Sequence, residues 1–361
     1  MRVLVDIGHP AHVHFFKNMI WALRKNGHVV KVTARHKEVA IALLNAYHLD
    51  FEDRGEAYTG LFRKAIGMIQ IDIRMLLIAR DFNPDLLIGI HNPYIAHVAK
   101  ILGKKSIIFN DTENVRISSL LTYPFATTIC TPDCFREHVV PDKHVLFQGF
   151  KELAYLHPKY FQPDPGVLKR VGLSEKEPFA VVRFISWGAI HDRTLQGIDR
   201  NERTAFVSEL EKYGRVVITS EGKLDPSLEK YRLRIQPEDM HSVLSFAHLY
   251  IGEGGTMATE AAVLGTPAIH VEADADGRPT GEMCGNFTEL KTGYDLMYYY
   301  ASHSDALKKA VEILKNRDVK DEWARKRDVL LMDKGDITAW MTDFVENYPQ
   351  SFYNQRGGNV R

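Results

Sequence analysis

The sequence predicts an α/β protein built on two doubly wound parallel sheets. Three observations carry that expectation. Short apolar runs alternate with longer segments of helical apolar spacing, and the series occurs twice along 361 residues. The apolar runs are nearly continuous, as strands covered on both faces must be. With 45% hydrophobic content over that length, the chain exceeds one small core, so two domains are expected.

Residues 3–7 form the first run, broken only by Asp6. Gly8-His9-Pro10 then opens a helix, and Pro10 suits its first turn. Phe15, Phe16, Met19, Ile20 and Leu23 supply the buried face before Asn26-Gly27 ends it. A strand at 29–33, a helix at 38–47 and a short strand at 49–52 follow. Helical spacing over 65–80 leads through Asn83-Pro84-Asp85 to a strand at 86–90. Helix 94–102, strand 106–110, helix 117–122 and strand 127–130 complete the first domain, assigned to 1–150.

Residues 148–164 hold Gly149, Pro158, Pro163 and several aromatics, and they read as an interdomain linker. The second domain is assigned to 165–335. Its series is strand 180–185, helix 203–213, strand 216–220, a short helix near Ser227, strand 233–236 and helix 240–247. Later helices are expected at 304–315 and 322–331. A last helix within 336–350 is expected to pack back on the first domain, with a flexible tail at 355–361.

The chemistry concentrates in Ile251-Gly252-Glu253-Gly254-Gly255-Thr256-Met257-Ala258-Thr259-Glu260 and the following Gly265-Thr266-Pro267. The pattern reads as strand, phosphate-sized loop, small-residue helix, turn and strand. Glycines let the backbone approach a ligand, and a helix start offers unpaired N–H groups to an anion. Thr256 and Glu260 stand one helical turn apart, on a shared face. An ordinary strand–helix connection is the plain alternative, but it gains nothing from an acid among small apolar neighbours. The stretch is neither a GxGxxG fingerprint nor a P-loop, since no Gly-Lys-Ser/Thr follows.

Lys plus Arg and Asp plus Glu both total 46, which gives no global signal for nucleic acid. Three cysteines cannot build a disulfide framework, and the amino terminus reads as a core strand, so a cytoplasmic location is expected. The helix around 62–80 mixes Arg63, Lys64, Arg74 and Arg80 with aliphatics, a pattern compatible with peripheral membrane contact or with an ordinary surface helix. No metal is expected. His12 and His14 are two apart and face away from each other, and Cys130 and Cys134 have no matching pair. Glu272, Asp274 and Asp276 offer alternate carboxylates to a hard cation, but a solvated turn is the favoured reading, with donor-site shaping before Arg278 as a third.

Two Rossmann-like halves with a glycine/glutamate unit in the second resemble the GT-B fold, whose halves face each other across a cleft. The stretch Gly254 to Glu260 is similar to the donor-binding segment of UDP-N-acetylglucosamine 2-epimerases and of the N-acetylglucosaminyltransferase of peptidoglycan lipid synthesis. Gly8-His9-Pro10-Ala11-His12 resembles the glycine/histidine loop after the first strand of those transferases. Over nearly its whole length the chain resembles the domain-of-unknown-function 354 family. The resemblance implies that Glu260 accepts ribose hydroxyls while Gly254, Gly255 and Thr256 donate to the diphosphate. It places Arg183, Ser186 and Gly188 against the same diphosphate, and Arg278 where epimerases carry an Arg-Pro pair. Where epimerases carry Gly-Asp after the fourth strand, this chain has His91-Asn92, while Asp111 falls near an epimerase glutamate.

Glycosyl transfer needs stabilisation of a leaving diphosphate and a base for the acceptor hydroxyl. The candidates for proton transfer are His9, His12, His91, Asp111 and Glu113 after strand ends of the first domain, and His191 in the second. His9 leaves the first strand directly and is the favoured base, with helix capping as its plain alternative. The leading expectation is a glycosyltransferase that uses a UDP-sugar, requires no cofactor, and takes a lipid-linked or glycan acceptor. A 2-epimerase and a non-catalytic nucleotide-sugar-binding protein are the alternatives.

Overall fold

A computed structural model describes the chain except residues 56–60, 114, 186–194 and 359–361. It divides into two compact units, Met1–Tyr155 with Gly335–Arg361, and Leu156–Lys334.

The first unit runs β1 (Arg2–Ile7), α1 (Pro10–Lys25), β2 (Val29–Ala34), α2 (Glu38–Ala46), β3 (Glu52–Asp53), α3 (Leu61–Phe82), β4 (Leu86–Ile90), α4 (Pro93–Leu102), β5 (Lys105–Phe109), α5 (Arg116–Thr122), β6 (Thr128–Pro132), β7 (His144–Phe147) and α6 (Leu153–Leu156). Its strands lie in the order β3-β2-β1-β4-β5-β6-β7, all parallel. β4 and β6 are buried throughout, which accounts for the unbroken apolar run of β4, while β6 also buries Thr128 and Thr131. Strand order reverses between β1 and β4. In a doubly wound sheet the carboxyl ends at such a reversal are where a ligand crevice opens.

The second unit runs α7 (Pro165–Arg170), β8 (Phe179–Phe184), α8 (Arg203–Glu211), β9 (Arg215–Ser220), α9 (Met240–Phe246), β10 (Leu249–Gly252), α10 (Gly255–Val263), β11 (Ala268–Val271), α11 (Gly285–Thr292), β12 (Met297–Tyr300), α12 (His303–Lys315) and α13 (Val319–Asp333). Its parallel strands lie in the order β12-β11-β10-β8-β9, so the reversal falls between β8 and β10. The chain then returns to the first unit through α14 (Ile337–Glu346) and α15 (Gln350–Gly358). There Thr338 Oγ1 donates to the Ala154 carbonyl at 2.7 Å, and Asn26 Nδ2 to Glu346 at 2.7 Å.

The two units divide at Tyr155 and Leu156, inside the expected 148–164 linker, and Phe150, Leu153, Ala154 and Tyr155 on its first side are buried. Two expectations are corrected, and two elements are additional. β7 and α11 were not anticipated. Residues 233–236 form no sheet strand among the described residues; a single bridge joins Arg232 to Ile218. Residues 355–358 of the expected tail are helical, and 359–361 lie outside the described residues. Among the described residues, no helix is long and apolar enough to cross a membrane.

Candidate functional site

In the second unit, β10 is buried to its end and breaks at Gly252. A Cβ at Gly252 would overlap the backbone of Arg183 on the neighbouring strand. Gly254 sits at φ +85°, a conformation glycine reaches without strain. It opens α10 without any side-chain cap, so the first N–H groups of that helix have no side-chain partner at the N-cap. A side chain at Gly254 would meet Ile185 at 3.2 Å and Arg183 Nε at 3.5 Å. The Arg183 guanidinium therefore stands beside the helix start, with Glu221 2.5 Å from its Nη2. Amides, helix dipole and guanidinium together make a pole for an anion.

One helical turn beyond Thr256, the Glu260 side chain is 8% exposed. His241 Nε2, on α9, lies 3.1 Å from Glu260 Oε1. Glu253, fully buried between the two glycines, accepts from the backbone N–H of Ile185 and Ile198, each at 2.8 Å. Arg203 Nη2 reaches it at 3.1 Å and lays its guanidinium over the Phe184 ring. Burial pushes the Glu253 carboxyl up, against the opposing pull of Arg203 and the two amides. Behind the pole, burial holds His270 down at about 4, and its ring packs edge-on against Phe287, which also faces Gly255.

The structure thus brings Arg183, Gly254, Gly255, Thr256 and Glu260 to one end of the sheet. Arg278 is different: its guanidinium is exposed and pairs with Asp276. Ser186, Gly188 and His191 lie outside the described residues.

In the first unit, the reversal between β1 and β4 gathers a polar cluster. His9 is the N-cap of α1, and its Nδ1 accepts from the Ala11 N–H at 3.2 Å. His12 Nδ1 accepts from the Gly8 N–H at 3.3 Å. Burial holds His12 well below the ordinary imidazole range, helped by His9, Lys151, Arg54 and His91. A neutral ring that accepts at Nδ1 carries its proton at Nε2. His91 is held at about 4 by burial, against the pull of Asp111. Asp111 Oδ2 lies 2.5 Å from Lys151 Nζ, and Glu113 Oε1 accepts from the Arg136 N–H at 3.4 Å. Beneath them, buried Asp6 is held by Thr33 Oγ1 at 2.7 Å, Arg54 Nε at 2.8 Å and the Asn92 amide. Asn92 also caps α4 by accepting from the Ile95 N–H.

Lys151, Arg54, Glu253, Arg203 and His241 escaped the sequence reading. Glu253 had a signal, since it is an acid wedged between glycines at a strand end. Lys151 lay inside the stretch taken for linker, and Arg54 and Arg203 meet their partners only through the fold.

Two parallel doubly wound sheets, with a glycine turn leading to an acid-bearing helix, define a GT-B protein. The chain belongs to the family described as "Protein of unknown function (DUF354)", which matches residues 1–348. It is similar to an uncharacterized protein of Methanocaldococcus jannaschii, 25% identical over 281 residues, 74% of this chain and 81% of that protein. Among solved structures, it is similar to the UDP co-structure of MnaA from S. aureus (TM-score 0.68, 9% identity, 98% of this chain and 97% of that one). It is also similar to the UDP-GlcNAc 2-epimerase of Neisseria meningitidis bound to UDP-GlcNAc (0.62, 12%, 92% and 99%). A Streptomyces glycosyltransferase complexed with thymidine diphosphate gives 0.59 at 16% identity, over 95% and 99%. At these identities the likeness is one of fold.

Proposed function

We propose that the protein is a nucleotide-sugar enzyme, and specifically a glycosyltransferase with a UDP-sugar donor. The observation that carries this reading is the second unit's glycine-opened, side-chain-uncapped helix start, with Arg183 beside it and Glu260 one turn behind. The amides of Gly255 and Thr256 and the Arg183 guanidinium take the diphosphate and stabilise its charge as it leaves. Glu260 takes the ribose hydroxyls. Ser186, Gly188 and Arg278 are assigned as further donor contacts, and His191 as an alternative proton carrier.

Both His9 and His12 accept backbone N–H groups at Nδ1, so each neutral ring presents an Nε2–H donor. That chemistry suits orienting an acceptor oxygen better than removing its proton. Proton acceptance is therefore assigned to Asp111, with Lys151 and Glu113 positioning the loop. Helix charge and guanidinium supply the electrostatics, so the reading needs no cofactor. An acceptor carried on a lipid is supported by α3, where Ile69, Ile73 and Leu77 are exposed at four-residue spacing. Arg74 and Arg80 stand exposed beside them, a pattern that fits an anionic bilayer surface.

The second reading, 2-epimerisation, loses support at Asn92, a buried amide engaged by Asp6 and Ile95. One incubation separates the readings: purified protein with a panel of nucleotide sugars in deuterated water, with and without cell-lipid acceptors. Acceptor-dependent UDP release supports transfer, and deuterium at sugar C2 supports epimerisation. Binding without turnover leaves a carrier. Glu260→Ala should weaken UDP binding with the fold intact, and unchanged affinity would remove the donor assignment.

A further inference from the structure

Glu260 is a carboxylate nearly shut away from water, and its orientation must come from a protein partner. We infer that His241 is a positioning residue for ribose recognition, fixing the Glu260 carboxylate through Nε2. The inference rests on the donor reading above and names what makes that acid selective.

The ring reaches Oε1 at 3.1 Å from a different helix, and the two side chains are 4% and 8% exposed. At that depth an imidazole–carboxylate contact is not dissolved by solvent or salt, as a surface pair is. His241 itself has little freedom. Its ring packs edge-on to Phe161 at 6.0 Å, and its neighbours Ser242, Val243 and Leu244 on α9 are buried. The end of α9 is in turn held by Lys320, whose Nζ donates to the carbonyls of Ser245 at 2.7 Å and Ala247 at 2.9 Å.

A carboxylate offers about four lone-pair sites. A donor at Oε1 restrains the rotation of a carboxylate that the donor reading sets against vicinal hydroxyls. A carboxylate free to rotate would bind the same hydroxyls with an orientational cost. His241 would thus touch no substrate atom and act through Glu260. In sequence it is a histidine on a short helix nineteen positions before the acid (260 minus 241), with no local signal of a partner.

The test is calorimetric binding of uridine diphosphate and 2′,3′-dideoxyuridine diphosphate to the full chain. Wild type, His241→Phe, His241→Gln and Glu260→Gln are compared, with thermal melts for each. Wild type should prefer the ribonucleotide. His241→Phe should cut that preference about tenfold, the scale of one hydrogen bond to a charged group, and leave the dideoxy affinity unchanged. His241→Gln, which keeps a donor, should restore most of it, and it serves if the phenylalanine variant does not fold. Equal loss for both nucleotides would mark a merely structural histidine and overturn the inference, as would full preference in His241→Phe. If Glu260→Gln keeps the wild-type preference, or wild type shows none, the donor reading itself has failed, and this inference with it. Loss in Glu260→Gln beside full preference in His241→Phe fails the inference alone.

Discussion

Asn92 donates its side-chain amide to the carboxylate of Asp6, and both residues are buried at the reversal of the first unit's sheet. A 2-epimerase-like acid at position 92 would therefore meet Asp6 directly, with Arg54 as the nearest compensating charge. The amide is a structural answer to that crowding. It caps α4 with its oxygen and satisfies Asp6 with its nitrogen.

Asn92→Asp should destabilise the protein by about 2–4 kcal/mol at pH 7.5, because two buried carboxylates would share one site. Such a pair titrates with a raised pKa. The unfolded chain gives up this proton at about pH 4, so the penalty begins there and grows until pH passes the raised value. Urea midpoints of variant and wild type should nearly coincide at pH 4 and separate progressively toward pH 7.5. Equal midpoints at pH 7.5 would show that Asp6 and residue 92 do not interact.

Glu253 and Arg203 make a second buried pair, and here the charge also ties two separate backbone positions, Ile185 and Ile198, to the end of β10. Removing one member strands the other. Glu253→Gln should cost about 3–5 kcal/mol. Adding Arg203→Met to it should cost less than the sum of the single changes, since the stranded cation disappears. Chemical denaturation of the four proteins measures the coupling, and strictly additive losses would deny it.

What sequence conveyed, and what it hid, divides along the range of the interactions. Parallel strands buried on both faces leave continuous apolar runs, so β1, β2, β4, β5, β8 and β10 were legible from residue type alone. The glycine turn was legible because Gly252 and Gly254 meet steric demands that few residues satisfy. β7 is four residues long and alternates in burial, too short to stand out. Proline and glycine made the 148–164 stretch legible as the junction, and the units divide within it, but the burial of Phe150 and Tyr155 there had no local signal. At the site, the backbone-donating residues were visible. The side chains paired with its acids, His241 with Glu260 and Lys151 with Asp111, lie 19 and 40 positions away, as the paired residue numbers show, and no periodicity links them.

His12, His91 and His270 are all held below the ordinary imidazole range by burial, the last two at about 4. The folded state thus keeps these rings neutral, while the unfolded chain takes up protons below about pH 6.5. Their stability contribution is complete above that pH and is lost as pH falls toward 4. For His270, whose ring nitrogens make no hydrogen bond among the described residues, the loss reaches about 3 kcal/mol. His270→Phe should flatten the stability curve between pH 6.5 and 4 by about that amount. Urea denaturation across that range decides, and parallel curves for the two proteins would place His270 in its ordinary range.

The exposed face of α3 makes the last prediction. Ile69, Ile73 and Leu77 are 59%, 54% and 59% exposed, an expensive arrangement for a helix whose other side packs through Ile71, Met75 and Ile78. Inserting three such side chains into the interface of a bilayer returns about 1 kcal/mol or more each, and each nearby arginine adds about 1 kcal/mol on an anionic surface. Together Ile69, Ile73, Leu77, Arg74 and Arg80 should give salt-sensitive, reversible attachment to vesicles containing phosphatidylglycerol and little to pure phosphatidylcholine. Ile73→Ser with Leu77→Ser should reduce co-sedimentation about tenfold or more, and Arg74→Gln with Arg80→Gln should remove the salt dependence. If the wild type instead stays in the supernatant with anionic vesicles and elutes as a dimer that the serine variants dissociate, a second copy of the chain covers this face, and the lipid-carried acceptor loses its support.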